Sequence, residues 1–309
     1  MPRPPSPLRS MLRLMARGVG ARGAAPALDA SVPRRKEACE RGEIRMDPAH
    51  VHDYARATGG DGVPPFFDDP PAAPPFYCAT WETALALEMF AGLEAPLPLG
   101  AIVHVSTEMV WARPLPPGEP VRCRVELDRV DRTARGLKLT VLSRNWMGAG
   151  QLCSQGTSVF MVRLRPPPDG SPPADPPRRE AAATAADAGG WTELARWPLP
   201  AGAGRRYARV SGDYNPIHLW PWTARPFGFR APILHGYATA ARAAHTLITQ
   251  RLNGDPVALR RMRIAFLAPL PLPSTPVLLI DDSGPERRFR VAAPDGATVY
   301  AEGAYGAAA

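Results

Sequence analysis

The sequence predicts an α+β protein made of two copies of one unit, each a long helix wrapped by an antiparallel β-sheet. Three observations carry that reading: a segment that recurs in order in both halves, a proline-rich stretch between them, and one helix followed by a run of strands in each half. With 309 residues, 45% hydrophobic and 21% charged, the chain is long enough to bury two cores of ordinary size.

The elements follow in order. Residues 1–46 form a basic leader whose first 36 residues hold 8 cations and a single acid, Asp29. It reads as a short basic helix that packs on the domain or frays, with an organelle transit peptide or an amphipathic surface helix as alternatives. Residues 47–165 form the first unit. It opens on Tyr54-Ala-Arg-Ala-Thr-Gly-Gly-Asp61-Gly-Val-Pro64-Pro-Phe66, continues into a helix from about Tyr77 to Phe90, and then runs through strands near His104–Trp111, Pro120–Asp131, Gly136–Asn145 and Gly150–Arg163. Residues 166–190 contain seven prolines and almost no large apolar side chain, a composition that cannot offset chain entropy by burial, and so form a linker. Residues 191–309 form the second unit. Its Tyr207-Ala-Arg-Val-Ser-Gly-Asp213-Tyr-Asn215-Pro216-Ile-His218 lines up with the Tyr54 segment, and Phe266-Leu-Ala-Pro269-Leu-Pro271 echoes Trp111-Ala-Arg-Pro114-Leu-Pro116. Between those segments Ala240, Ala241, Ala244, Leu247, Ile248 and Leu252 recur at three and four spacing, the buried face of a helix near Tyr237–Leu252. Strands follow near Ala258–Ala268, Pro276–Asp281, Arg287–Ala292 and Ala297–Tyr305.

Composition excludes several classes of function. Of 37 cations and 29 acids, 8 and 1 lie in the first 36 residues, which leaves the remainder at 29 against 28. A nearly neutral body argues against a nucleic-acid binder, whose basic stripe belongs on the folded domain. Cys39, Cys78, Cys123 and Cys153 are too far apart for CxxC pairs, which argues against a zinc site or a disulfide framework and for a reducing cytoplasm. No stretch is long and apolar enough to be read as a membrane span. His50 and His52 stand beside Asp47 and Asp53 and read as polar residues entering a helix rather than as metal ligands.

The second copy of the repeated segment carries chemistry. Asp213 and His218 stand five apart, which is not the spacing of one helical face, but Gly212 and Pro216 bend the chain enough for both to meet at one point. Asn215 can hold the loop or the carboxylate with its amide. Downstream, Ile233-Leu-His235-Gly236 opens into the long helix, and a helix N-terminus presents unsatisfied N–H groups to developing negative charge. Trp220-Pro221-Trp222, just after His218, reads as packing against the neighbouring half.

Taken together, Tyr-x-x-Val-Ser-Gly-Asp-x-Asn-Pro-Ile-His followed by Gly-Phe and Ile-x-His-Gly resembles the MaoC-like family of hotdog-fold (R)-specific enoyl-thioester hydratases and 3-hydroxyacyl-thioester dehydratases. The strong likeness covers about Tyr207–Ala240, and the two-part organisation is similar to that of double-hotdog acyl dehydratases. The resemblance implies a tandem double hotdog in which Asp213 and His218 bind and activate water. It also implies that the Gly236 amide polarises the thioester carbonyl, with Ser211 and Asn215 in support. Arg230 and Tyr237 are further candidates for contact with substrate. The first copy departs from the pattern, with Phe66 where His218 stands and Val63 where Asn215 stands, so that half is expected to be catalytically dead and its helix to wall an acyl tunnel. The expected partner is an acyl-CoA or acyl-carrier-protein thioester, with no cofactor, no metal, no nucleic acid, and a monomeric or homodimeric state. Two rivals stay open: a hotdog thioesterase and a non-catalytic acyl-thioester-binding subunit.

Overall fold

The computed structural model describes residues 38–92, 102–115, 117–133, 136–163 and 190–307. The leader up to residue 37 and the linker from 166 to 189 lie outside them.

In the first half, strand β1 (Ala38–Ile44) leads into helix α1 (Pro48–Ala57), helix α2 (Ala79–Ala91) and strands β2 (Ile102–Trp111), β3 (Val121–Thr133), β4 (Gly136–Met147) and β5 (Gln151–Arg163). The second half repeats the order with β6 (Thr192–Arg196), helix α3 (Ala203–Ser211), the one-turn helix α4 (Pro221–Ala224), helix α5 (Gly236–Arg251) and strands β7 (Leu259–Phe266), β8 (Val277–Asp281), β9 (Arg287–Ala292) and β10 (Val299–Ala307). β1 begins inside the stretch expected to be leader: residues 38–44 pair with β3, so the first unit starts earlier than 47. Its burial pattern is irregular, with Cys39 and Ile44 buried, and this hides it from a period-two reading.

All ten strands form one sheet in the order β1-β3-β4-β5-β2-β7-β10-β9-β8-β6. The order reads the same from either end, half for half, so the helix-following strands β2 and β7 meet at the seam. Their antiparallel register sets Met109 opposite Met262, both buried, and Glu108 opposite Arg263. Closing this seam inside one chain satisfies two strand edges that would otherwise expose unpaired backbone groups.

Local sequence explains the elements that place the site. Asp47 caps α1 by accepting from the Ala49 N–H at 3.0 Å, with Pro48 in the first turn, where its missing N–H costs nothing. α2 is apolar on most sides and packs on β3 and β1, and β3 turns Val121, Cys123, Val125 and Leu127 toward the core. α5 carries Ala240, Ala241, Ala243 and Ala244, all fully buried, and these small side chains let its axis approach β7 and β2. α1 and α3, which carry the paired motif tyrosines, pack on each other and bring Tyr54 and Tyr207 to 6.1 Å between ring centres.

Candidate active site

The Asp213–His218 loop is built by four consecutive devices. Gly212 ends α3 in the left-handed conformation (φ 72°), which a side chain would oppose. The Asp213 N–H then donates to Ser211 Oγ at 3.1 Å, and Asp213 Oδ1 accepts from the Asn215 N–H at 3.1 Å. Asn215 caps the 3-10 turn Pro216–His218 through its own Oδ1. Pro216 starts that turn and delivers His218, 8% exposed, to the floor of a cavity of about 700 Å³.

The hydrogen bonds of the two neighbouring histidines fix their tautomers. His218 Nδ1–H donates to the Ile233 carbonyl at 2.8 Å. A carbonyl only accepts, so in the neutral ring Nε2 keeps a bare lone pair. Burial holds His218 below its ordinary pKa, against the opposing pull of Asp213 and of the Ile233 bond. His235 Nε2–H donates to the backbone carbonyl of Asp213 at 2.9 Å, which ties the start of α5 to the loop, and its ring stacks on His218 at 3.7 Å. Burial first, and the His218 charge second, push His235 well below its usual range. Asp213, His218 and His235 offer ligand atoms within 4.8 Å of one another. The two rings, however, are inclined by only 25°, so their in-plane lone pairs run side by side rather than converging on one ion.

Gly236 is the first residue of α5, where N–H groups have no partner within the helix. Only glycine fits there: a Cβ would lie 2.7 Å from His104 Nδ1 and 3.0 Å from Phe266 Cε2. His104 comes from β2 of the other half and was not singled out by the sequence, because a lone histidine in a strand carries no spacing signal. Its Nε2–H donates to the Ser106 carbonyl at 3.1 Å, its ring stacks on Phe160 at 4.8 Å, and burial lowers its pKa to about 4. The site is therefore assembled from both halves.

Asp213, Asn215, His218, Gly236 and Tyr237 all line the cavity, and Ser211 supports it from behind. Tyr237 shares a hydrogen bond of 2.8 Å with Ser158 Oγ of β5. Arg230 is exposed and lies outside the cavity lining. The two tryptophans after His218 correct one expectation: Trp220 and Trp222 are 40% and 68% exposed and stack on each other, with Arg205 over Trp220, instead of packing on the other half. From the Asp213–His218 loop the cavity crosses the seam to Thr83, Ala86, Leu87 and Phe90 of α2, the face expected to wall an acyl chain.

The equivalent place in the first half is filled. Phe66, opposite His218 in the repeat, is fully buried with its ring 5.0 Å from that of His245. Aligning Ala79-Thr80 with Ala238-Thr239 puts Tyr77 opposite Gly236. His50 Nε2–H donates to the Val210 carbonyl, so its bare Nδ1 accepts from the Tyr77 hydroxyl at 2.7 Å. His50 is thus a bridge between the halves.

A family described as "MaoC like domain" matches residues 176–300. Over 287 residues the chain is 30% identical to 3-hydroxyacyl-thioester dehydratase X of Mycobacterium tuberculosis, covering 89% of each. It is 44% identical over 59 residues to peroxisomal enoyl-CoA hydratase 2 of Arabidopsis thaliana, 19% of each chain. Among solved structures it is similar to HtdX of Mycobacterium tuberculosis, with a TM-score of 0.69 at 22% identity over 87% of this chain and 98% of that one. A second Mycobacterium tuberculosis structure, described as a double hotdog fold, gives a TM-score of 0.59 at 14% identity over 88% of this chain and 96% of that one.

Proposed function

Because the chain belongs to the MaoC-like dehydratase family and folds as a double hotdog, we propose that it hydrates 2-enoyl thioesters and dehydrates (R)-3-hydroxyacyl thioesters, as a hydro-lyase of fatty-acid metabolism. One observation carries the proposal: the bare Nε2 of His218 and the carboxylate of Asp213 share a cavity with the unpartnered helix start at Gly236.

In the hydration direction a water held by Asp213 and His218 gives up a proton to His218 Nε2 as its oxygen bonds to C3. The C2–C3 π pair shifts toward C1, and the thioester oxygen becomes an enolate oxygen that accepts from the Gly236 N–H. C2 then takes a proton back from the same pair of groups, so the enzyme ends in its starting protonation state. Dehydration retraces these steps. A positioned acid–base pair contributes about 10²- to 10⁴-fold and one oxyanion donor about 10²- to 10³-fold. The bond from the Asp213 carbonyl to His235 holds the loop and the helix start at a fixed separation, which oriented catalysis requires.

The carrier is coenzyme A or acyl carrier protein, since both present the same thioester. Among the described residues no helix is long and apolar enough to cross a membrane. The four cysteines are buried and form no disulfide among the described residues, which supports a reducing compartment, and we assign the cytoplasm. A monomer or homodimer fits a seam already closed within the chain.

The test follows hydration of crotonyl-CoA by loss of enoyl absorbance, with free thiol monitored in parallel. Wild type turns over without releasing thiol, and Asp213→Asn and His218→Ala each lose about 10²-fold or more in kcat. Thiol release at the rate of turnover would make the protein a thioesterase, and binding without turnover of CoA or carrier-protein esters would make it a binding subunit.

A further inference from the structure

The wall that the first half contributes to the cavity is mostly apolar: Ala86, Leu87, Phe90, Val125 and Val141 line it. One carboxyl interrupts it. Glu82, one helical turn before Ala86 on the same face of α2, lines the cavity and is 4% exposed. Burying a carboxyl costs several kcal/mol unless it is paired; burial raises the Glu82 pKa, and hydrogen bonds with Asn145, Ser143 and Cys78 oppose that rise. Its partners are neutral. Asn145 Nδ2 donates to Glu82 Oε1 at 2.7 Å, and Asn145 is itself held by Trp81 Nε1–H at 2.8 Å and by Ser154 Oγ at 3.1 Å.

Glu82 heads a polar strip within the tunnel. Thr83 and Ser143 also line it, as does Ser158, which shares hydrogen bonds with Tyr237 and Thr107. Ser158 pairs with Val141 across the sheet, and Ser143 lies two residues further along β4, a displacement of about 7 Å away from the Tyr237 hydroxyl. Tyr237 follows Gly236 directly, so the strip leads from the reacting carbons toward the far part of the acyl chain. A plain alkyl chain would lie along this strip without adding a hydrogen bond to it, and leucine in place of Glu82 would serve such a chain better.

We propose that Glu82 makes this enzyme selective for acyl thioesters whose chain carries a hydroxyl group well beyond C3. A hydroxyl suits the position because it donates to a carboxylate and both donates to and accepts from a carboxylic acid. Asn145 holds one Glu82 oxygen, Ser143 and Cys78 also hydrogen-bond the carboxyl, and a ligand hydroxyl would join this neutral set from the cavity side. The inference rests on the hydratase reading above and adds the class of acyl chain.

The experiment measures kcat/KM for ω-hydroxylated and unsubstituted 2-enoyl-CoA esters of six, eight and ten carbons, with crotonyl-CoA alongside. Wild type prefers the hydroxylated ester at one length by roughly tenfold or more. Glu82→Gln, which keeps the acceptor for Asn145, retains a preference, and Glu82→Met, of similar length, abolishes or inverts it. The readout is a ratio on one enzyme preparation, so partial loss of folded protein in a variant leaves it unmoved. Turnover of crotonyl-CoA with no preference for a hydroxylated chain overturns the Glu82 inference alone, as does a preference that survives in Glu82→Met. No turnover of any ester, crotonyl-CoA included, overturns the hydratase reading beneath it. Should Glu82→Met fail to fold, the wild-type panel decides by itself.

Discussion

Replacing Gly236 by alanine tests the assembly of the site from two halves. The added Cβ would stand 2.7 Å from His104 Nδ1, where ordinary contact begins at 3.4 Å, so ring and helix start must separate by about 0.7 Å. His104 cannot yield freely, being held by the Ser106 carbonyl and flanked by Phe160, Tyr237 and Phe266 at 4.6 to 4.9 Å. The helix start moves instead and takes the oxyanion donor with it. A misplacement of this order costs about 10²-fold in rate, or about 2.7 kcal/mol of transition-state stabilisation. Stability changes less: alanine gains up to about 1 kcal/mol over glycine inside a helix, and overpacking costs about 1–3 kcal/mol. The expected result is a fall in kcat of about 10²-fold with a Tm lowered by a few degrees. The assay is crotonyl-CoA hydration together with thermal melting, for Gly236→Ala alone and combined with His104→Ala. Removing the ring opens the space, so the double variant recovers at least tenfold of the lost kcat. A Gly236→Ala enzyme at wild-type kcat, or a double variant no better than the single one, would refute the account.

Three further outcomes follow from the same geometry. Burial holds His245 at about pKa 3 against an ordinary 6.5, so the unfolded chain binds the extra proton between these values and stability falls as pH drops below 6.5; at pH 5 this amounts to about 2 kcal/mol, and His245→Asn flattens the fall in Tm between pH 7 and 5. Gly204→Ala would place a Cβ 2.1 Å from the backbone oxygen of His218, so both Tm and kcat drop, and an unchanged kcat would show that the loop moves freely. Phe66→His in a His218→Ala background restores no hydration in the absorbance assay, because Tyr77 occupies the place of the glycine donor in that half.

How much was legible depends on how local each signal is. The repeat, the long helices and eight strands could be read because apolar period, turn residues and duplicated order are written along the chain. β1 and β6 could not: they are short edge strands, and β6, from Thr192 to Arg196, has no fully buried residue, so its pairing with β8 is its only mark. Asp213, His218 and Gly236 stood out because one short loop and one helix start carry them all, and the Gly212 and Asn215 devices that aim them are local too. Trp220 and Trp222 misled because bulk predicts burial only where a partner surface arrives, and among the described residues none does.

By itself the sequence determined the repeated unit, the replacement of His218 and Asn215 by Phe66 and Val63 in the first copy, and the placing of a carboxylate and an imidazole in one short loop, since each depends on neighbours a few positions away. The tertiary structure decided what those residues face. It put His104 of the first half against Gly236, left Arg230 outside the cavity and set Glu82 in the tunnel wall. Such contacts join residues more than 100 positions apart across the β2–β7 seam, and only a closed sheet with fixed register brings them together.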